Sequence, residues 1–369
     1  MSSNIGKSFK TSLFGESHNK IIGVTINNIA PGINLDLTAI ENDLSLRRPK
    51  LKSETARVEK DHFEIVSGYF NGYTTGSPLT ILIYNQNIKS HDYDIIKEVY
   101  RASHVDFSAS KKYLGYEDYR GSGHFSGRLT APLVIAGSIA KQILARKKIE
   151  ILSHIKKVNN IEDDSLNEKK FNLQKTSILE NKLKVINKIK EKQMLALIDK
   201  AKSEEDSLGA SLETMIINVE AGIGEPFFNK LDSSIAYYLM SIPAIKGVSF
   251  GEGFNYQNRL GSEVSDEYFF DKKVKTKTNF NGGIIGGIST GMPIVINTVV
   301  KPASSISKPQ QTIRKKDNKS VEVKIKGRHD ASIFTRMPVI VDSLTALALL
   351  DAYCVRYGYM WQVEENNNV

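Results

Sequence analysis

Four short segments rich in histidine, arginine and glycine carry most of this chain's capacity for chemistry. They are Gly15-Glu16-Ser17-His18; Arg101-Ala102-Ser103-His104, continuing through Arg120-Gly121-Ser122-Gly123-His124 to Arg128; Gly282-Gly283-Ile284-Ile285-Gly286-Gly287; and Lys301-Pro302-Ala303-Ser304-Ser305 with Gly327-Arg328-His329-Asp330. Arginine forks grip carboxylates and phosphates, and histidines exchange protons near neutral pH. Glycine turns let backbone N–H groups approach a ligand closely. Together these are the parts for holding a multiply anionic ligand and moving protons on it. The segments run from the N-terminus into the C-terminal third, so a site built from all of them requires one folded unit.

Each segment also has a plainer reading. A lone histidine before a strand is more often structural, but Glu16 and Ser17 beside His18 can fix its tautomer and tune its pKa. A Ser-His-Asp hydrolase is disfavoured: adjacent Ser17 and His18 point apart if extended, and no nucleophile elbow exists. His104 lies between Arg101 and Asp106. The Gly-Ser-Gly turn at 121–123 precedes an apolar helix, which makes a ready anion site, and Arg128 at the helix entrance favours phosphate or carboxylate. The 282–287 glycines match neither a Walker loop nor a dinucleotide fingerprint, and suit close approach to something flat or phosphorylated. His18, His104, His329 and Asp330 lack zinc-type spacing and any cysteine partner, so no metal is expected.

The elements that position these groups follow from the pattern. Ile22–Asn27 and Leu79–Tyr84 read as half-buried strands, and Met215–Val219 as another. Thr38-Ala39-Ile40-Glu41 reads as a capping box for a helix to Leu46, stopped by Pro49, with Arg47 and Arg48 at its end. Ala131–Arg146, with Pro132 in its first turn, reads as a buried helix. Leu231–Met240 and Ser343–Val355 read as further helices. From Ile151 to Lys202 there is no Gly or Pro. Its first part reads as loop or edge structure, and Lys188–Lys202, with Ile189, Leu195, Ile198 and Ala201 near helical spacing, as an exposed amphipathic helix. Strands and helices mix without strict alternation, which predicts an α+β fold.

The 369 residues carry a formal charge of +9. From Lys301 to Arg328 nine Lys or Arg face only Asp317 and Glu322. This stretch reads as a solvated loop or as a lid over an anionic site, and the motifs that bracket it favour a lid over 306–327. A nucleic-acid-binding protein is the alternative, against which stands the missing aromatic interleaving of a single-strand binder. Cys354, the only cysteine, sits in an apolar run and suits a reducing compartment. Met1–Lys7 lacks the apolar core of a signal peptide, and the uncharged run Thr278–Val300 is broken by glycines and Pro293, reading as a turn into a buried strand. The expectation is a cytoplasmic protein with no membrane partner.

Taken together, these motifs resemble those of chorismate synthase, from Phe9 to Asp351. The resemblance rests on Gly15–His18, the Leu44–Pro49 arginine turn, Arg101–Arg128, Gly224-Glu225-Pro226-Phe227, Ser241–Gly253, the paired glycines, Lys301–Ile306 and Gly327–Arg336. It implies a single catalytic domain over 1–369, a β-α-β sandwich of mixed helices and antiparallel sheets, with 151–202 as a variable segment. The reaction it implies is the trans-1,4 elimination of phosphate from 5-enolpyruvylshikimate 3-phosphate, giving chorismate. That reaction needs reduced FMN without net redox change and serves aromatic amino acid biosynthesis. An inactive flavin-binding relative is the second alternative.

By the same resemblance His18, with Ser17, protonates the leaving phosphate, His104 lies by the flavin, and Asp330 relays the ring proton. Arg47, Arg48, Arg128 and Arg336 bind the substrate. The implied FMN contacts are His124, Phe125, Ser126, Pro243, Ala244, Gly286, Lys301, Pro302, Ala303, Ser304, Ser305 and Arg328. Arg47 matches the position associated with NADP. The resemblance further implies a homotetramer, and either NADPH or a separate flavin reductase as the source of flavin electrons. Asn19, His124-Phe125, Ala303 and Ala331 depart from the family pattern, as does Ser53, which stands where an arginine is expected near the nicotinamide nucleotide.

Overall fold

The computed structural model describes residues 3–51, 54, 61–86, 97–324 and 330–363. Two five-stranded antiparallel sheets enclose a pair of long helices. The first sheet holds β1 (Asn4–Ile5), β2 (Lys10–Gly15), β3 (Ile21–Asn27), β4 (Phe63–Ser67) and β5 (Leu79–Tyr84), in the order β1-β2-β3-β5-β4. The second holds β6 (Glu150–Val158), β7 (Ile161–Glu162), β8 (Ala210–Ile217), β9 (Ile245–Phe250) and β10 (Ile294–Val300), in the order β9-β10-β8-β6-β7. The expected α+β sandwich is what the chain forms.

Alternation sets the inner faces. Ile22, Val24 and Ile26 of β3 pair directly with Ile83, Ile81 and Leu79 of β5, and all six are fully buried. Ile155, Leu212, Ile216, Ile294 and Ile296 do the same for the second sheet. Each such side chain contributes roughly 1.5–3 kcal/mol on burial. Between the sheets lie α3 (Thr130–Arg146), which packs on β3, and α7 (Met337–Tyr357), which packs on β6. A Cβ at Gly137 would sit 2.2 Å from the Ser343 Cβ, so only glycine allows the two helices to approach this closely. Gly137 and Ser343 are equally near their helix starts, which brings both N-termini to the same end of the sandwich. Pro338 occupies the first turn of α7 as Pro132 does in α3, and the helix begins six residues before the expected Ser343. It is long and apolar enough to cross a bilayer, but most of it is buried in the core.

Three expectations are corrected. The helix α1 (Leu37–Leu46) is capped by Asp36, whose carboxylate accepts from the Ala39 amide at 3.0 Å; Thr38 and Glu41 lie inside the helix. An aspartate two residues earlier is the better acceptor for orphan N–H groups near a positive helix end. The 151–202 segment is more ordered than expected. Ile151 lies in β6, which pairs on both sides, and α4 (Phe171–Glu180) was not foreseen because its apolar residues are few. In α5 (Lys188–Ser203) the buried face is Glu191, Met194, Ile198 and Ala201, while Ile189 points to solvent. Finally, the basic stretch contains a hairpin, Gln310–Ile313 with Ser320–Val323, rather than continuous loop, because its residues alternate on either side of the Lys315–Asn318 turn.

The variable segment is fixed to the second sheet by a buried ion cluster. His154 of β6 lies 3.1 Å from Asp163 through Nδ1 and 3.1 Å from Glu213 through Nε2. Asp163 also accepts from the Ile186 and Asn187 amides, and Glu213 from that of Leu166. Burial alone would depress the His154 pKa, but the two carboxylates overcome it and raise it.

Candidate active site

A cleft of about 910 Å³ opens where α3 and α7 begin. Helix N-termini carry partial positive charge and unpaired N–H groups, so this end of the sandwich favours anions before any side chain is counted. Arg47, Arg48, Arg128, Lys246, Lys301 and Arg336 line the cleft, against the carboxylates of Asp61 and Asp330. The segments that deliver them are the turn after α1, the approach to β4, the loop before α3, the start of β9, the end of β10 and the approach to α7, and the turn after α6 (Leu231–Met240) completes the wall.

On one side stands His104, in a tight turn before α2 (Asp106–Lys112). Its Nδ1 donates to Asp106 Oδ1 at 2.8 Å, and its Nε2 lies 3.4 Å from Ser122 Oγ. Arg101 grips the same carboxylate at 2.8 and 2.7 Å. Burial pushes the Asp106 carboxyl up, but Arg101 and His104 outweigh it and hold the group well below the usual carboxylate range. An ionised Asp106 therefore fixes which ring nitrogen carries the proton and leaves Nε2 toward Ser122.

The loop that carries Ser122 explains the position of His18. Gly121, Ser122 and Gly123 all have positive φ, and a Cβ at Gly121 would lie 2.2 Å from the His18 ring and 2.8 Å from Ser17 Oγ. The Ser17 amide donates to the Gly123 carbonyl at 3.1 Å, and His124 Nδ1 donates to the Gly15 carbonyl at 2.9 Å. Ser17 and His18 are thus buried behind this loop and do not themselves line the cleft. His124, Phe125 and Ser126 do line it, and Ser126 caps the turn into α3.

The arginines form two clusters. Arg47 donates to Asp61 at 3.0 Å, to Thr130 Oγ1 at 3.0 Å and to the Gly127 carbonyl at 3.3 Å. Arg128 pairs with the other oxygen of Asp61 and donates to Asn85 Oδ1 at 3.2 Å. Across the cleft, Arg336 pairs with Asp330, which also accepts from the Ser332 amide at 3.2 Å. Burial raises the Asp330 pKa against the opposing pull of Arg336, and the nearby Glu54 charge adds to the rise.

The remaining wall is backbone-rich. Ala244, beside Pro243, adopts φ +74°, and its carbonyl accepts from the Lys301 amide at 2.9 Å. Lys301 Nζ donates to the Ser103 carbonyl and to Ser304 Oγ, both at 2.8 Å; burial and the nearby Lys246 depress its pKa. This ties the Lys301–Ser305 segment, including Pro302 and Ala303, to the His104 turn.

Sixteen of the sequence-derived residues therefore meet on one cleft: Arg47, Arg48, His104, His124, Phe125, Ser126, Arg128, Pro243, Ala244, Lys301, Pro302, Ala303, Ser304, Ser305, Asp330 and Arg336. Gly286 does not; it lies in the tight turn of the Ile284–Ser289 hairpin, away from the cleft wall. Arg328 lies outside the described residues. Sequence reasoning missed Asp61 and Lys246. Neither belongs to a glycine- or histidine-bearing motif, and only proximity in three dimensions marks them.

Comparison with known proteins adds the family. A family model described as chorismate synthase matches residues 9–354. The chain is 40% identical to the chorismate synthase of Pyrococcus abyssi over 362 residues, covering 98% of this chain and 99% of that one. It is also 40% identical to the chorismate synthase of Methanobrevibacter smithii, with 98% of each covered. A crystal structure of a chorismate synthase superimposes with a TM-score of 0.76 at 26% identity, covering 96% of this chain and 94% of the other.

Proposed function

The chain belongs to the chorismate synthase family, and from that premise we propose that the cleft at the shared helix N-termini is its active site. The protein is a lyase that eliminates phosphate from 5-enolpyruvylshikimate 3-phosphate to give chorismate, using reduced FMN without net redox change. In class terms we assign it to the carbon–oxygen lyases acting on phosphates, with residues 1–369 as one catalytic domain.

A cleft of about 910 Å³ is at the large end for small-molecule sites, with room for a flavin and the substrate together. Its lining suits the flavin: His104, Ser126, the Pro243–Ala244 turn and the Lys301–Ser305 segment bring polar side chains and backbone to one cleft. Reduced flavin, when bound, supplies electron density to the allylic system and takes it back.

The chain's own residues do the rest. Arg47, Arg48, Arg128 and Arg336 hold the two carboxylates and the phosphate of the substrate. Asp330, whose pKa is raised by burial, accepts the ring proton in its ionised form, and Arg336 orients its carboxyl group. His104 is set by Asp106 to present Nε2 toward the ligand space. His18 and Ser17 deliver a proton to the departing phosphate, which requires the Gly121–Gly123 loop to shift, since that loop stands over the His18 ring. The 310–323 hairpin, held to Tyr100 through Thr312 and Lys315, acts as the lid. Ser53 stands where an arginine is expected near the nicotinamide nucleotide, so a separate reductase rather than NADPH bound here supplies the flavin's electrons. A cytoplasmic homotetramer completes the reading.

The observation that carries this reading is the convergence of Arg47, Arg128, Arg336, His104 and Asp330 on one cleft. It is tested by Arg128→Ala with reduced FMN in excess. Loss of one charge-assisted pair should raise KM by roughly 10- to 100-fold. Unchanged kinetics would place substrate binding elsewhere.

A further inference from the structure

The arginines of the cleft already hold an anion. Asp61 is only 3% exposed at its side chain and presents one oxygen to each of two guanidinium groups: Oδ2 to Arg47 at 3.0 Å, and Oδ1 to Arg128. Its backbone is left-handed, at φ +51°, a conformation that aspartate and asparagine tolerate better than other side chains. The two arginines also have neutral anchors that fix their direction. Arg47 Nε donates to Thr130 Oγ1 at 3.0 Å, and Arg128 Nε to Asn85 Oδ1 at 3.2 Å. With orientation supplied by neutral groups, what Asp61 adds is charge.

We propose that Asp61 is a resident counter-anion, sharing Arg47 and Arg128 with the phosphate or carboxylate of the bound ligand. The inference rests on reading the cleft as the substrate site. Two guanidinium groups brought together out of water repel one another, and a carboxylate between them offsets that cost. An arriving anion then meets a trio of net charge +1 instead of a pair of net charge +2. Substrate and phosphate product are both held less tightly than two bare arginines would hold them. Where departure of product limits turnover, a weaker grip on phosphate raises the rate.

The test is a calorimetric titration of inorganic phosphate into the full-length chain at fixed ionic strength. Asn keeps the left-handed backbone and the side-chain shape while removing the charge. Asp61→Asn should bind phosphate about tenfold more tightly, the scale of one nearby charge in a partly buried site. In steady state both KM for the substrate and kcat should fall, a split that simple misfolding does not produce. Equal or weaker phosphate binding by Asp61→Asn, with an unchanged melting temperature, overturns the proposal. If that variant does not fold, Arg47→Gln/Asp61→Asn removes one charge of each sign and should match the wild-type phosphate affinity within about twofold; a tenfold loss there overturns the proposal equally. Arg128→Ala separates the two levels of inference. If it leaves phosphate binding intact, the cleft reading itself fails. If it weakens binding while Asp61→Asn does not tighten it, only the counter-anion role fails.

Discussion

His104 and His154 are both flanked by carboxylates, yet they stand at opposite ends of what a histidine can do. His154 is wholly buried, and each ring nitrogen is spent on an acid, Asp163 or Glu213. It closes a three-charge knot that holds the variable segment on the second sheet. The His104 side chain is 22% exposed, has one nitrogen fixed by Asp106, and turns the other toward Ser122 and the cleft. Acids on both ring nitrogens make a structural histidine; a nitrogen met only by a hydroxyl, beside a ligand-sized space, makes a chemical one.

Substitution should separate the two most sharply. His104→Ala should lower turnover by roughly two to four orders of magnitude while leaving the fold intact. His154→Gln should do the reverse. Breaking one member of a buried ionic cluster costs about 3–5 kcal/mol, and activity per folded molecule should stay within a few-fold of wild type. Steady-state rates with excess reduced FMN, alongside thermal unfolding of both variants, read the two effects. An active His104→Ala enzyme would erase the distinction.

Asp330 extends the comparison to a cleft carboxylate. Asp330→Asn should lower turnover by about two to three orders of magnitude. Because burial raises its pKa, a rate that needs the ionised form should fall as pH drops through a value above the ordinary carboxylate range. Arg336 opposes that rise, so Arg336→Gln should move the acid limb of the pH–rate profile to still higher pH. A limb that stays in place would detach Asp330 from the proton transfer.

Smaller effects follow from the loop over His18. Gly121→Ala places a methyl group against the His18 ring at a left-handed position and should cost roughly 1–3 kcal/mol together with part of the activity. Gly115→Ala, also left-handed but facing open space, should cost about 1 kcal/mol and leave turnover unchanged. The mildest effect is in pH. His154 has a folded pKa above its unfolded value, so its contribution to stability is complete below about pH 6.5 and is lost as pH rises through the folded value. The wild-type melting temperature should therefore decline more steeply on the alkaline side than that of His154→Gln.

Much of this was legible in the sequence, for identifiable reasons. Ile22, Val24 and Ile26 announce a strand because period two cannot be satisfied by a helix, and Pro132 marks the start of α3 because only the first turn spares its missing N–H. His104, Arg128 and Lys301 stood out because they sit in glycine- and hydroxyl-rich segments. Asp61 did not, because what defines it is its place between arginines contributed by α1 and by the loop before α3. The α1 cap was misread because both Asp36 and Thr38 are good caps, and only backbone geometry chooses between them. Helix α4 was missed because Phe171, Gln174 and Ile178 bury against the second sheet from a segment whose composition is otherwise that of a solvated loop.

The central claim is that this cleft performs an elimination in which flavin electrons are lent and returned. It is tested most directly by counting turnovers in an anaerobic assay containing a single charge of chemically reduced FMN. Breaking one C–O and one C–H bond leaves the overall oxidation level unchanged. Each reduced flavin should therefore support many turnovers, with phosphate and chorismate released in equal amounts, and oxidised FMN alone should support none. Consumption of one reductant for each chorismate formed, or product formation with no flavin present, would contradict the account.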